Sequence, residues 1–161
     1  MEFMDVVKKR RSIRKYKPDP IPEKVVHQIL EAARLAPSGS HLQPWHFIVV
    51  KDPETKNKLG IYPWAAEAPI VIVGCTDPEA SPRWHIVDLT IAFEHLVLAA
   101  ASFGLGTCWI GRLYSDETTK KVLGIPARMK VLAVTPLGYP DQIPEPKTRK
   151  SLSEIVHYEK F

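Results

Sequence analysis

Apolar positions in this chain recur in two rhythms, one helical and one of short continuous runs. Phe3, Val6 and Val7 share a helical face and predict a short helix over residues 2–9. Lys17-Pro18-Asp19-Pro20-Ile21-Pro22 cannot be helical throughout, because prolines remove donors and restrict the residues before them. A helix restarts at Pro22 or Glu23, with Val25, Val26, Ile29, Leu30, Ala33 and Ala36 on one face, and Pro37-Ser38-Gly39-Ser40 ends it. Phe47–Val50, Ile70–Cys75 and Lys130–Pro136 are β-branched or apolar runs and predict strands. Asp52-Pro53-Glu54 opens a short helix through Leu59, with proline well placed in the first turn. Asp77–Pro82 reads as a loop, Thr107–Ile110 as a strand or extended turn, and Ser115-Asp116-Glu117-Thr118 as the start of a helix reaching about Leu123. Gly124-Ile125-Pro126 stops that helix, residues 140–146 form an extended linker, and Leu152–Tyr158 form a short helix or an extended arm.

Residues 84–103 are the most informative stretch. Their apolar side chains cover nearly every face of a helix about 30 Å long. Such a helix must be covered on all sides. It is either a central core helix or one shared with a second subunit, and the small size of the chain favours sharing. Asp88, Glu94 and His95 interrupt it, which argues against a membrane span. Gly104-Leu105-Gly106 closes it. Helices and strands mix without a strict βαβ rhythm, so the expected class is α+β in a single domain, residues 1–161.

Composition narrows the field. The 161 residues suit one core, and 45% hydrophobic against 25% charged residues exclude a disordered chain. A net charge of +4 fits anionic ligands without singling out nucleic acid. The positive charge is concentrated in Lys8, Lys9, Arg10, Arg11, Arg14, Lys15 and Lys17, with Lys147, Arg149 and Lys150 as a second group. Cys75 and Cys108 lie in apolar runs with no metal-ligand spacing, so both are expected to be small buried residues. No metal site is expected, and the cytoplasm is the expected compartment.

Four segments could carry chemistry. Arg10-Arg11-Ser12-Ile13-Arg14 offers forked donors and a hydroxyl that can converge on one phosphate, or it is a solvated basic face. Ala36–Trp45 holds Pro37, Ser38, Gly39, His41 and Gln43. These could approach a polyol or heterocycle, or simply form a helix stop and turn. Gly104–Gly111 follows a helix instead of joining a strand to one, which rules out a dinucleotide-binding fingerprint. It could still present backbone N–H groups to a flat ring. Lys147-Thr148-Arg149 could complete a phosphate site or be a solvated tail. The chain has no recognisable nucleophile elbow, HExxH or phosphate-binding Walker loop, so a bound organic cofactor is the natural carrier of chemistry.

Taken in order, Arg10–Arg14, Ala36-Pro37-Ser38 with Gln43-Pro44-Trp45, the long apolar helix into Gly104-Leu105-Gly106-Thr107, Trp109-Ile110-Gly111, Leu137-Gly138-Tyr139-Pro140 and the late Arg149 resemble the nitroreductase-like family of FMN-dependent oxidoreductases. Each motif is weak alone; the ordered set is specific. The resemblance implies a three-layer fold with a mixed, mostly antiparallel sheet, and an obligate homodimer built on the long helix with FMN at the interface. It implies that Arg10, Arg11, Ser12 and Arg14 hold the phosphate and ribityl chain with Arg149 and Lys147. Pro37, Ser38, Gly39, His41 and Gln43 would approach from the other subunit, and Trp109, Ile110 and Gly111 would face the ring near N5. The arm at about 141–161 would pack on the partner and extend its sheet. Hydride would pass from NAD(P)H through flavin N5 to a nitroaromatic, quinone or similar small acceptor, with ping-pong kinetics and no protein side chain as acid or base. Two departures stand out: the family often has Asn where His41 stands, and the short 59–84 segment lacks extra helices over the flavin, implying an open or differently covered pocket. Three rivals remain: a same-fold flavoenzyme performing dehalogenation or enoyl reduction, a silent flavin-binding dimer, and a basic nucleic-acid-binding module.

Overall fold

A computed structural model describes residues 2–112 and 116–161. The described residues form α1 (Phe3–Lys9), α2 (Glu23–Arg34), β1 (Trp45–Val50), α3 (Pro53–Lys58), α4 (Pro63–Ala66), β2 (Ile70–Thr76), α5 (His85–Ser102), β3 (Gly106–Thr107), β4 (Ile110–Gly111), α6 (Glu117–Leu123) and β5 (Lys130–Gly138). A short 3-10 turn covers Leu152–Glu154. The expected helix start at Ser115 falls outside the described residues; α6 begins at Glu117.

The sheet runs β1-β2-β5-β3, with β4 also on β5, and every named pairing is antiparallel. A single parallel bridge, Ser12 to Thr107, makes it mixed. β2 lies at the centre and is buried throughout, because helices cover both faces. Its alternation sorts the two cores: Ile70 and Ile72 pack with Val26, Ile29, Phe93 and Leu96 from α2 and α5. Val71 and Val73 face the other way, onto Leu59, Ile125 and Met129 beside α3 and α6. The result is a three-layer α+β fold.

α5 lies close on the sheet because Gly74 has no side chain. A Cβ there would meet the Phe93 ring at 2.9 Å. Only one side of α5 is covered within the chain. Leu89, Ala92, Phe93, Leu96, Val97 and Ala100 are buried, while Ile86 and Val87 remain 45% and 47% exposed. By length and composition alone α5 could cross a bilayer, the one helix among the described residues that could.

Thr107–Ile110 is not one strand. β3 and β4 are two-residue pieces on the same edge of β5, separated by Cys108 and Trp109. The Cys108 N–H leaves the ladder and donates to Thr135 Oγ1 at 3.1 Å instead.

Candidate functional site

The arginine segment is placed by the sheet edge. The Arg10 N–H still donates to Val6 O at 2.9 Å, closing α1. Ile13 then turns inward, 3% exposed, and its N–H donates to Thr107 O at 2.8 Å. Gly106 is required here, since a Cβ would lie 2.6 Å from Ile13 Cγ1. Extended backbone alternates, so the neighbours Ser12 and Arg14 face the opposite way from Ile13. Tyr16 locks the turn by donating to Ile13 O at 2.5 Å; burial foremost, then the nearby Cys108, holds its phenol protonated well above the ordinary value.

This edge meets the far end of the chain. The Lys17 N–H donates to Tyr139 O, the Asp141 N–H donates to Lys15 O, and Lys15 pairs with Asp141 at 2.9 Å. Beyond that clasp the residues after Pro140 run past the arginines. Together they enclose a cleft of about 360 Å³ lined by Val7, Lys8, Arg10, Arg11, Ser12 and Arg14 on one side and Pro144, Glu145, Pro146, Lys147 and Arg149 on the other. Six cations face one carboxylate, and among the described residues none of the six forms an ion pair. Arg11 donates from Nη1 to Lys8 O and Arg10 O, at 2.6 and 2.9 Å, while its Nε is buried with no partner. A buried, unpartnered guanidinium nitrogen in a cation-lined cleft suits an anion with several acceptor oxygens.

A second cleft of about 420 Å³ adjoins it through Arg14. Its other lining residues are Tyr62, Trp64, Cys108, Trp109, Ile110 and Gly111. Arg14 stands 5.9 Å from the centre of the Trp64 ring, within cation–π range. Trp109 projects where β3 and β4 part, 39% exposed, its ring edge-on to Phe93 at 4.6 Å. Burial raises the Cys108 thiol above its ordinary value, partly offset by Arg14, a hydrogen bond with Ser12, and Arg10, so it stays protonated near neutral pH.

Pro37, Ser38, Gly39, His41 and Gln43 line neither of these two clefts within the chain. They form a strained turn in which Ser40, His41 and Gln43 have φ of 50°, 59° and 49°, a region that non-glycine residues seldom enter. Side-chain oxygens anchor it. The Gly39 N–H donates to Asp88 Oδ1 at 2.8 Å, Ser81 Oγ donates to Asp88 Oδ2 at 3.0 Å, and the Gln43 N–H donates to Ser38 Oγ at 3.0 Å. Asp88 is 2% exposed, on the first turn of α5. Sequence reasoning used Asp88 only as an interruption of the apolar run. A lone acid at the buried start of such a helix was the available signal for an anchor. Tyr62 and Trp64, at the start of α4, were also missed; they lie in the short 59–84 segment expected to lack extra helices over the flavin.

A family model described as Nitroreductase family matches residues 7–72 and 57–139. The chain belongs to the nitroreductase family. A relative from Methanothermobacter thermautotrophicus, whose name pairs NADH dehydrogenase with NAD(P)H nitroreductase, is 36% identical over 171 residues, covering 100% of this chain and 88% of its own. The FMN-dependent nitroreductase of Clostridium difficile R20291 superposes with a TM-score of 0.86 at 33% identity, covering 98% of this chain and 99% of its own. Iodotyrosine deiodinase 1 of Rattus norvegicus is 28% identical over 196 residues, covering 96% of this chain and 68% of its own. The nitroreductase fold thus accounts for the whole chain. The basic cleft, with its buried Arg11 Nε, has the donor set that a flavin phosphate would need.

Proposed function

We propose that this protein is an FMN-dependent oxidoreductase that moves hydride from NAD(P)H to a small acceptor such as a nitroaromatic or quinone. The carrying observation is the meeting of residues 8–14 with residues 147–149 in one cation-lined cleft. Arg10, Arg11, Ser12 and Arg14, with Lys147 and Arg149, would hold the phosphate and ribityl end. Backbone around Trp109, Ile110 and Gly111 would border the ring. Bound FMN would supply the two-electron chemistry; the chain supplies placement, positive potential and exclusion of water.

The same reading makes the protein a homodimer of single-domain subunits. Its support is the outward face of α5, where the apolar Ile86 and Val87 stay exposed. Pro37, Ser38, Gly39, His41 and Gln43 would then serve the cleft of the partner. The arm from residue 141 onward leaves Ile143, Leu152 and Ile155 at 71%, 75% and 56% exposure, and it would cover them on the other subunit.

The test is a visible spectrum of the purified protein, with heat-released flavin identified and mass measured by sedimentation. A yellow dimer that oxidises NAD(P)H with parallel initial-rate lines is expected. A colourless protein that takes up no FMN overturns the reading. The deiodinase relative favours one second reading, reductive dehalogenation at the same site. Halide release from an iodophenol, outpacing nitro reduction, would select it.

A further inference from the structure

The chain leaves its folded body at the Lys15–Asp141 clasp. The Asp141 N–H donates to Lys15 O at 3.0 Å, and the two side chains pair at 2.9 Å. Past that point every residue from 142 to 161 is exposed. Among the described residues, every hydrogen bond made by this stretch has both ends inside it, and it forms no ion pair.

Its middle part has nothing apolar to bury. Pro144-Glu145-Pro146-Lys147-Thr148-Arg149-Lys150 lies between Ile143 and Leu152, the nearest large apolar side chains on either side. Docking those two on a partner subunit would still leave the bridge between them unsecured. The bridge nevertheless runs along the arginine segment and closes the basic cleft.

Charge decides whether it stays there. Lys8, Arg10, Arg11 and Arg14 face Lys147 and Arg149 across the cleft, and Glu145 alone offsets the repulsion, without an ion pair. Arg149 donates from Nη1 to Lys147 O and Thr148 O, both at 3.1 Å, and its Nε and Nη2 have no partner among the described residues. On the opposite wall Arg11 Nε is buried and unpartnered. An anion between the walls would reverse the sign of their interaction and draw them together.

Two prolines limit the entropy lost on closure. Pro144 and Pro146 fix their own φ and restrict Ile143 and Glu145 before them, so the bridge has little freedom to give up.

We infer that residues 144–150 form a strap that the phosphate of the bound flavin fastens over the basic cleft, retaining the cofactor. This rests on the flavoenzyme reading and adds a moving part to it. With phosphate present the strap is closed; without it, repulsion between the walls lets the strap swing open. By linkage, whatever stiffens the strap tightens the hold on FMN.

Limited trypsin digestion, with the cuts located by mass spectrometry, tests this apart from turnover. Lys147, Arg149 and Lys150 all lie in the bridge. Protein stripped of flavin is resaturated with FMN or with riboflavin, which lacks the phosphate. Cutting at 147–150 is expected to be at least about tenfold slower in the FMN complex than in the riboflavin complex. Pro144→Gly with Pro146→Gly, at exposed positions that lose no hydrogen bond, should weaken FMN binding by about fivefold to twentyfold and leave riboflavin affinity unchanged. Equal cutting in the two flavin complexes, or parental FMN affinity in the proline variant, overturns the strap while leaving the flavoenzyme reading intact. A protein that takes up no FMN overturns both.

Discussion

The Gly39 N–H and the Asp88 carboxylate meet at 2.8 Å across 49 residues of sequence, tying the turn after α2 to the first turn of α5. Ser81 Oγ donates to the other carboxylate oxygen, so the buried acid is satisfied on both sides. The strain of three left-handed residues just beyond Gly39 is thereby anchored to the layer that carries the sheet.

Asp88→Ala should cost about 1–3 kcal/mol of stability, since it leaves the part-buried Gly39 N–H and the buried Ser81 hydroxyl unpaired. It should also weaken FMN binding, because Ser38, Gly39 and Gln43 lose their fixed placement. Asp88→Asn keeps an acceptor for Gly39 and should lose less. Denaturant titration with flavin affinity checks both, and equal flavin affinity in the alanine variant would disconnect this turn from the cofactor.

Arg10→Ala with Arg14→Ala removes two of the charge-assisted donors in the basic cleft. Each is worth about 1.5–3 kcal/mol, so flavin affinity should fall by about a hundredfold or more. Circular dichroism should remain close to that of the parent. Full flavin retention after gel filtration would remove this cleft as the phosphate site.

Gly106→Ala places a methyl 2.6 Å from Ile13 Cγ1. Overpacking of this kind costs about 1–3 kcal/mol, and here it would push the arginine segment off β3. Lowered thermal stability accompanied by lost flavin is expected. A stable, flavin-replete variant would show that the close approach is dispensable.

Burial raises the Glu94 carboxyl above its ordinary value of 4.5, with Arg10 and His95 opposing. The folded state therefore holds this proton longer than the unfolded state, and stability falls as pH rises from 4.5 through the raised value. Glu94→Gln should match the parent near pH 4 and exceed it at pH 7.5 by thermal melting. An equal gain at both pH values would assign the effect to packing instead.

Val87→Lys puts a charge on the exposed apolar face of α5. Sedimentation should report a monomer depleted of flavin, since the proposed site draws on two subunits. A flavin-loaded dimer would move the interface elsewhere.

Much of the fold was legible because its signals were strong. β2 is a continuous β-branched run and α5 a long apolar helix, and both appear within a residue or two of expectation. α4 escaped notice because Pro63–Ala66 is too short for any periodicity. Thr107–Ile110 looked like one extended piece because nothing in residue type announces that Cys108 leaves the ladder for Thr135. The turn at 36–45 was recognisable as a turn, but its left-handed Ser40, His41 and Gln43 are residue types that do not advertise that conformation. The basic cleft was half legible: charge clustering marked each segment, while their meeting depends on the Lys15–Asp141 clasp, a tertiary contact.

The parting of β3 from β4 also bears on how this protein behaves in a crowded cell. An unbroken strand along β5 would offer a row of free backbone groups onto which another chain could add. Two-residue pieces split by an outward tryptophan give a stray strand nothing long enough to grip. The kink that opens the aromatic cleft thus also blunts one sheet margin against fibril-like growth.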